Sequence, residues 1–335
     1  MGTVKDLIVI ESPREDRMGL GDFVFSDRYS VFDYGVMPDT IDNKGKALCL
    51  VSAYFFERIE EKGIKSHYIG LVEDGKVKRF DEIEKPTNVM RIKVVRVVKP
   101  ERRNGYNYTI FKNLKANYFI PLEVIYRNSI PPGSSLLRRI EEGSVKPEDF
   151  GLKEIKPGMK LEKPIIDFST KLEDVDRYLS AEEAKEISGL NDDEFDKLKV
   201  IALSIDEIIT TEVSKVGIEN EDGKFEFALD ENREIIVVDA VGTPDECRFS
   251  YDDFDVSKEI LRSYYKRTEW YEKIKAVKGK PNWRDIVGTP PKLSDEIRKL
   301  ASQLYMSFCN EVTGRKFFDV PKLKELVKEI REVMK

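Results

Sequence analysis

The chain has 335 residues, enough to bury a sizeable core and to form one two-lobed unit or two domains. It carries 57 Lys and Arg against 63 Asp and Glu, and this net charge of −6 argues against a broad nucleic-acid surface, while no apolar run approaches the ~20 residues of a membrane-spanning helix. Three scattered cysteines, Cys49, Cys247 and Cys309, exclude a disulfide framework and a structural zinc, and the single histidine, His67, excludes a multi-histidine metal centre.

The stretch from Asp6 to Glu11 predicts a strand rather than a basic segment leading into a long apolar one, so a cytoplasmic location is expected. "GDFVFSDRYSVFDYGVMPD" mixes aromatic and β-branched residues and is broken by Gly and Pro, which predicts strand, turn and strand. In "KGKALCLVSAYFFERIEEKG", Leu48, Val51, Phe55 and Ile59 share one helical face and Gly63 marks the stop. Residues 64 to 128 are strand-rich, notably "VMRIKVVRVVK" and "YFIPLEVIYRN". A Pro- and Gly-punctuated stretch over 129–168 contains a short helix from Leu136 to Glu142. Phe195, Leu198, Ile201, Ile205, Ile209 and Val213 recur at helical period between Asp192 and Lys215. Near the end, Ser294 is an N-cap, Ile297, Leu300, Leu304, Phe308 and Val312 form a stripe, and Gly314 stops the helix. Residues 1–115 are expected to form a mainly β lobe and 116–335 an α+β lobe with C-terminal helices. The cysteines are expected to be small core residues.

"KFEFALDENREIIVVDAVGTPDECRF", residues 224 to 249, reads as a hairpin in which each strand carries an acid, Glu226 and Asp239. Lys224, Glu226 and Ala228 share one face. If the turn holds an even number of residues, Glu226 lies on the face of Val237 and Asp239, and opposed acids need a cation between them. Two carboxylates on rigid strands suit magnesium when phosphate oxygens complete the shell. The pattern equally fits a solvated sheet face, and no GxxxxGK[ST] or GxGxxG loop accompanies it.

Taken together, "SDRYSVFD", "NKGKALCLVSAYFFERIEEKGI", "IPLEVIYRN", "GSSLLRRIEEG", "DFSTKLEDVDRYLS", "GKFEFALD…VVDAVGTPDECRF", "DVSKEILRSYY" and "PPKLSDEIRKLASQLYMSFCNEVTG" resemble, in order, blocks of the SAICAR synthetase family (phosphoribosylaminoimidazole-succinocarboxamide synthases). The resemblance implies an α+β, two-lobed fold whose mainly antiparallel β first lobe is similar to a kinase N-lobe, with ATP and magnesium (Mg2+) in the cleft. It implies an ATP-dependent ligase of purine biosynthesis that joins a carboxylated aminoimidazole ribotide to aspartate through an amide, via an acyl phosphate, giving ADP and phosphate. Small-molecule substrates and a homo-oligomer follow from it. By residue, it implies Glu226 and Asp239 as metal ligands, and Arg14, Arg17 and Glu123 around ATP. Arg127, Ser134, Ser135, Arg248, Lys258 and Arg262 are implied to bind substrate; Asp33, Asp176, Lys171 and Arg248 are implied to be catalytic.

This chain departs from the family pattern at ligand-facing positions. Pro13 and Arg14 stand near the family's Gly-Lys position, leaving Arg14 and Arg17 as the substitute cations. Val175 replaces a His, Ala240 an acid, and Glu246 a Ser, the last putting negative charge where a substrate anion is expected. Three readings stay open: the family's own reaction, an amide ligase with another acid or amine substrate, and a non-catalytic nucleotide-binding paralogue.

Overall fold

The computed structural model of the chain describes residues 3–102, 105–280 and 282–334, and its strands form two large antiparallel sheets and a small ribbon. In the first sheet, β1 (Lys5–Glu11), β2 (Gly19–Phe25), β3 (Tyr68–Glu73), β4 (Lys76–Lys78) and β5 (Val89–Val94) run in the order β1-β2-β5-β3-β4. Between β2 and β3 the chain crosses through α1 (Lys44–Glu61), which buries Leu48, Val51, Phe55 and Ile59 as its periodicity predicts. Because α1 packs against a C-terminal helix, Asp295–Thr313, as well as the first sheet, Ala47, Leu50 and Phe56 are buried too, Phe56 stacking on Tyr68 of β3. The ribbon is β6 (Glu101–Arg102) with β7 (Tyr106–Asn107).

The second sheet takes β8 (Tyr118–Ile130), β9 (Met159–Thr170), β10 (Tyr178–Leu179), β11 (Ile218–Leu229), β12 (Ile235–Val238), β13 (Cys247–Tyr251) and β14 (Phe254–Asp255). Its order is β10-β9-β8-β11-β13-β14, with β12 also on β11. The helices of this half are α2 (Ser135–Glu141), α3 (Ala181–Ser188), α4 (Asp192–Ser214), α5 (Glu259–Tyr265), α6 (Glu269–Val277), α7 (Trp283–Val287), α8 (Asp295–Thr313) and α9 (Leu323–Val333). The Asn191 side chain opens α4 by accepting from Glu194 N at 2.9 Å, while Glu194 returns the bond to Asn191 N. The Ser294 Oγ caps α8 by accepting from Ile297 N at 3.2 Å, and Gly314 ends it at φ 68°. All three cysteines are buried.

Two expectations change. The strand expected after β2 does not form: residues 26–43 are irregular apart from an Arg28–Thr40 bridge, with Phe32 and Asp33 at positive φ. Asp27 instead uses its carboxylate to accept from Gly45 N at 2.9 Å and Asn43 N at 3.2 Å, so this stretch serves as the entry to α1. Lys258, expected to stand on a helix four residues before Arg262, instead caps α5, and its carbonyl still accepts from Arg262 N at 3.4 Å, which keeps the two cations one turn apart.

One hydrophobic cluster runs from Phe25 and α1 through β8 and β11 to α8 and α9. A smaller one, Met18, Phe119, Ala228, Ile236 and Val238, lies on the Glu226 face of β11 and β12. Among the described residues, no helix is long and apolar enough to cross a membrane.

Candidate functional site

The site grows from the β11–β12 hairpin. Its loop is five residues, Asp230 to Glu234, closed by the Asp230 carboxylate accepting from Asn232 N at 2.9 Å and Glu234 N at 2.8 Å. That register sets Glu226 opposite Val238, so the even-numbered turn expected from sequence is absent. An uninterrupted pleat would send Asp239 to the other face. The strand ends first: Asp239 adopts φ 71°, out of the pleat, and its charge bears on Glu226. The acids therefore meet because the strand breaks at Asp239.

Lysines alternate with these acids. Lys5, the first residue of β1, reaches Asp239 Oδ2 at 2.7 Å from a position near the Phe23 and Phe25 rings. Lys171 lies 2.7 Å from Glu226 Oε1 and 2.8 Å from Glu123 Oε1. Glu123 sits directly opposite Glu226 across β8 and β11, a like-charge pairing that only an intervening cation makes tolerable. Lys224 is 2.7 Å from Glu123 and 3.6 Å from Glu246. Burial raises the Glu226 carboxyl well above the usual range, and the Asp239 charge adds to the effect. Burial would raise Glu123 as well, but the Lys224 and Lys171 charges hold it at about 2. Burial is likewise overridden at Asp239, which Lys5 holds below the ordinary carboxylate value.

Four residues along β8 and β11, about 13 Å at strand rise, lies a second cluster. Arg127 is 1% exposed and donates to Asp222 and Asp167 at 3.2 Å each, to Ser134 Oγ at 3.1 Å and to Ser135 Oγ at 3.2 Å. Arg248 grips the same Asp222 through both Nε, at 2.7 Å, and Nη2. Arg139 donates to Asp167 at 2.6 Å and lies over the Tyr178 ring, whose hydroxyl donates to Ser135 at 2.5 Å. Arg127 is thus committed behind the two serines, whereas Arg248 and Ser135 remain partly exposed. Ser134 also caps α2, accepting from Leu136 N at 3.3 Å.

The other expected residues divide. Solvent reaches Asp176, yet the cleft desolvates its carboxyl and, together with the Glu123 charge, raises it to about 6. Lys171, Lys224 and Asp33 also act on Asp176, so these groups face one space. Asp33 is exposed at φ 61° and pairs with Lys278 at 2.8 Å. Lys258 is lowered by burial, with the Asp245 charge opposing, and Arg262 pairs with Glu259 at 2.8 Å. Among the described residues, neither Arg14 nor Arg17 makes an ion pair with these acids. Their loop follows the Glu11 end of β1, its carbonyls held by Asn117 Nδ2 at 2.5 and 2.8 Å, while Lys5 at the opposite end makes the contact. Of the departures, Ala240 is buried in the main core, Val175 is 77% exposed, and Glu246 faces Lys224.

Sequence reading missed Lys5, Asp222 and His67. Lys5 and Asp239 are 234 positions apart, so no local pattern announces their contact. Lys224 was legible, because it shares the face of Glu226. Among the described residues no group of three or more His, Cys, Asp or Glu gathers as a metal cage. Glu226 and Asp239 nevertheless offer hard carboxylate oxygens, a donor set that suits a magnesium ion completed by water and phosphate.

The SAICAR synthetase family model matches residues 2–277. A relative from Thermoplasma volcanium, named phosphoribosylaminoimidazole-succinocarboxamide synthase, is 39% identical over 305 residues, covering 88% of this chain and 93% of its own. Another, from Archaeoglobus fulgidus, bears the same name provisionally and is 65% identical over 334 residues, covering all of both chains. Among solved structures, a SAICAR synthetase in complex with ADP is 25% identical, covers 88% of this chain and 99% of its own, and has a TM-score of 0.57. The SAICAR synthase of Saccharomyces cerevisiae, complexed with SAICAR, matches in fold at a TM-score of 0.65, covering 95% of each chain at 24% identity. The chain belongs to the SAICAR synthetase family, the ATP-dependent carbon–nitrogen ligases of purine biosynthesis.

Proposed function

We propose that the chain joins the carboxylate of a carboxylated aminoimidazole ribotide to the amine of aspartate, with Glu226 and Asp239 holding magnesium at the phosphates of ATP. The observation that carries this reading is the lysine-laced acid pair beside a small apolar wall. Met18, Phe119, Ala228, Ile236 and Val238 form an apolar cluster on the Glu226 face that suits a purine ring, with Lys5 and Lys171 on the acids for phosphate oxygens. Glu226 and Asp239 would hold the magnesium, which when bound would supply charge neutralisation for the transferred phosphoryl group.

One carboxylate oxygen of the ribotide attacks the γ-phosphorus as the bond to ADP breaks. The amine of aspartate then attacks the acyl carbon, and phosphate leaves with that oxygen. Asp176, raised to about 6, is placed to take a proton from the incoming ammonium, with Asp33 across the same space. Arg248 and Ser135, backed by Arg127 and Ser134, suit the ribotide phosphate. Lys258 has no carboxylate within ion-pair distance among the described residues and, with Arg262, is available to substrate carboxylates. Partners in this reading are small molecules, and a homo-oligomer is expected from the resemblance. The test is to supply ribotide labelled with oxygen-18 in its carboxylate: label must appear in the released phosphate, and its absence there would rule out the acyl phosphate.

A further inference from the structure

The single histidine has no part in the steps above, yet it is 3% exposed and aimed at the acid pair. It lies between α1 and β3, on a segment that runs alongside β12. His67 N donates to Val237 O at 3.1 Å, Val237 N donates to Lys65 O at 3.0 Å, and Ser66 bridges Val237 in parallel. Phe23 and Phe56 flank the imidazole, at 5.6 and 5.4 Å between ring centres. This packing leaves Nε2 3.2 Å from the carbonyl oxygen of Asp239. A carbonyl only accepts, so Nε2 carries the proton.

Asp239 needs such a partner. It directly follows β12, and a left-handed backbone at a non-glycine position is disfavoured unless its surroundings hold it.

We propose that His67 is a positioning residue for the acid pair, its Nε2–H fixing the Asp239 carbonyl so that the left-handed turn delivers the Asp239 carboxylate to the divalent cation shared with Glu226. This rests on the reading of Glu226 and Asp239 as magnesium ligands. Calorimetric titration of the full chain with ADP, with and without magnesium, separates the two. For wild type, magnesium should tighten ADP binding. In H67L that gain should fall about tenfold while metal-free ADP affinity stays within about twofold. H67Q, whose amide also donates, should recover most of the gain. Where thermal melting finds H67L unfolded, H67N, a methylene shorter than H67Q, takes its place in the comparison. An undiminished magnesium gain in H67L, equal losses with and without metal, or no recovery in H67Q would overturn the inference alone. No magnesium gain in wild type would overturn the metal reading and the inference with it.

Discussion

At the scale of single residues, one face of β8 and β11 holds acids and lysines in alternation, and the consequences differ by position. Asp176, exposed between β9 and β10, feels these charges, and its raised value places a proton-accepting group near neutrality. A base works only when ionised, so kcat/KM should fall as pH drops below about 6, and D176N should remove that acid limb in a pH–rate profile. Arg127 is the opposite case. Truncating it leaves two buried carboxylates, Asp167 and Asp222, with one arginine each, Arg139 and Arg248, so R127A should lower stability by about 2–3 kcal/mol in chemical denaturation. R248A, partly exposed, should leave the fold largely intact and raise the KM for the ribotide instead. These distinctions were not readable from the sequence, where both arginines are simply cations in family-like blocks. Burial and the sharing of Asp222 depend on which strands pair, and no spacing along the chain encodes that.

At the scale of elements, periodicity carried far. The α1, α4 and α8 stripes, the Ser294 cap and the Gly63 and Gly314 stops were legible because each rests on neighbours three or four residues apart, and the hairpin strands because side chains alternate. The hairpin loop was not, since four- and five-residue turns over Asp230–Glu234 draw on the same polar residues. The second strand expected within residues 21–39 was misread because the aromatic and β-branched content suits one, while the backbone there turns through positive φ at Phe32, Asp33 and Gly35. The turn that follows Asp239 offers a test of how tightly this part is built. Gly242 sits at φ 67°, and a Cβ there would lie 2.2 Å from Phe55 Cδ2 on α1. Even one methyl group must push the turn off the helix. G242A should lower stability by about 2–4 kcal/mol in thermal or chemical unfolding and weaken ADP binding, because Asp239 moves with the turn.

At the scale of the molecule, the two sheets share one hydrophobic cluster, and the helices beyond the matched family segment are part of it. From α8, Tyr305 donates to Asp245 at 2.7 Å, beside the buried Lys44–Asp245 pair at 2.7 Å, and Phe308 packs on Phe249. A chain ending at Gly288 should therefore fail to fold, as circular dichroism would report, and the full chain should unfold in one transition although its lobes are proposed to divide near residue 115. The two sheets meet at the acids, with Lys5 from the first sheet on Asp239 at the end of the β11–β12 hairpin. The central claim, that this meeting point drives ATP-dependent amide formation, is tested most directly by measuring ADP release and amide product together. The assay supplies ATP, magnesium, aspartate and the carboxylated ribotide, then omits each in turn. The account predicts one ADP per amide formed and no ADP when any component is left out; ADP release indifferent to aspartate, or no turnover with the complete set, would contradict it.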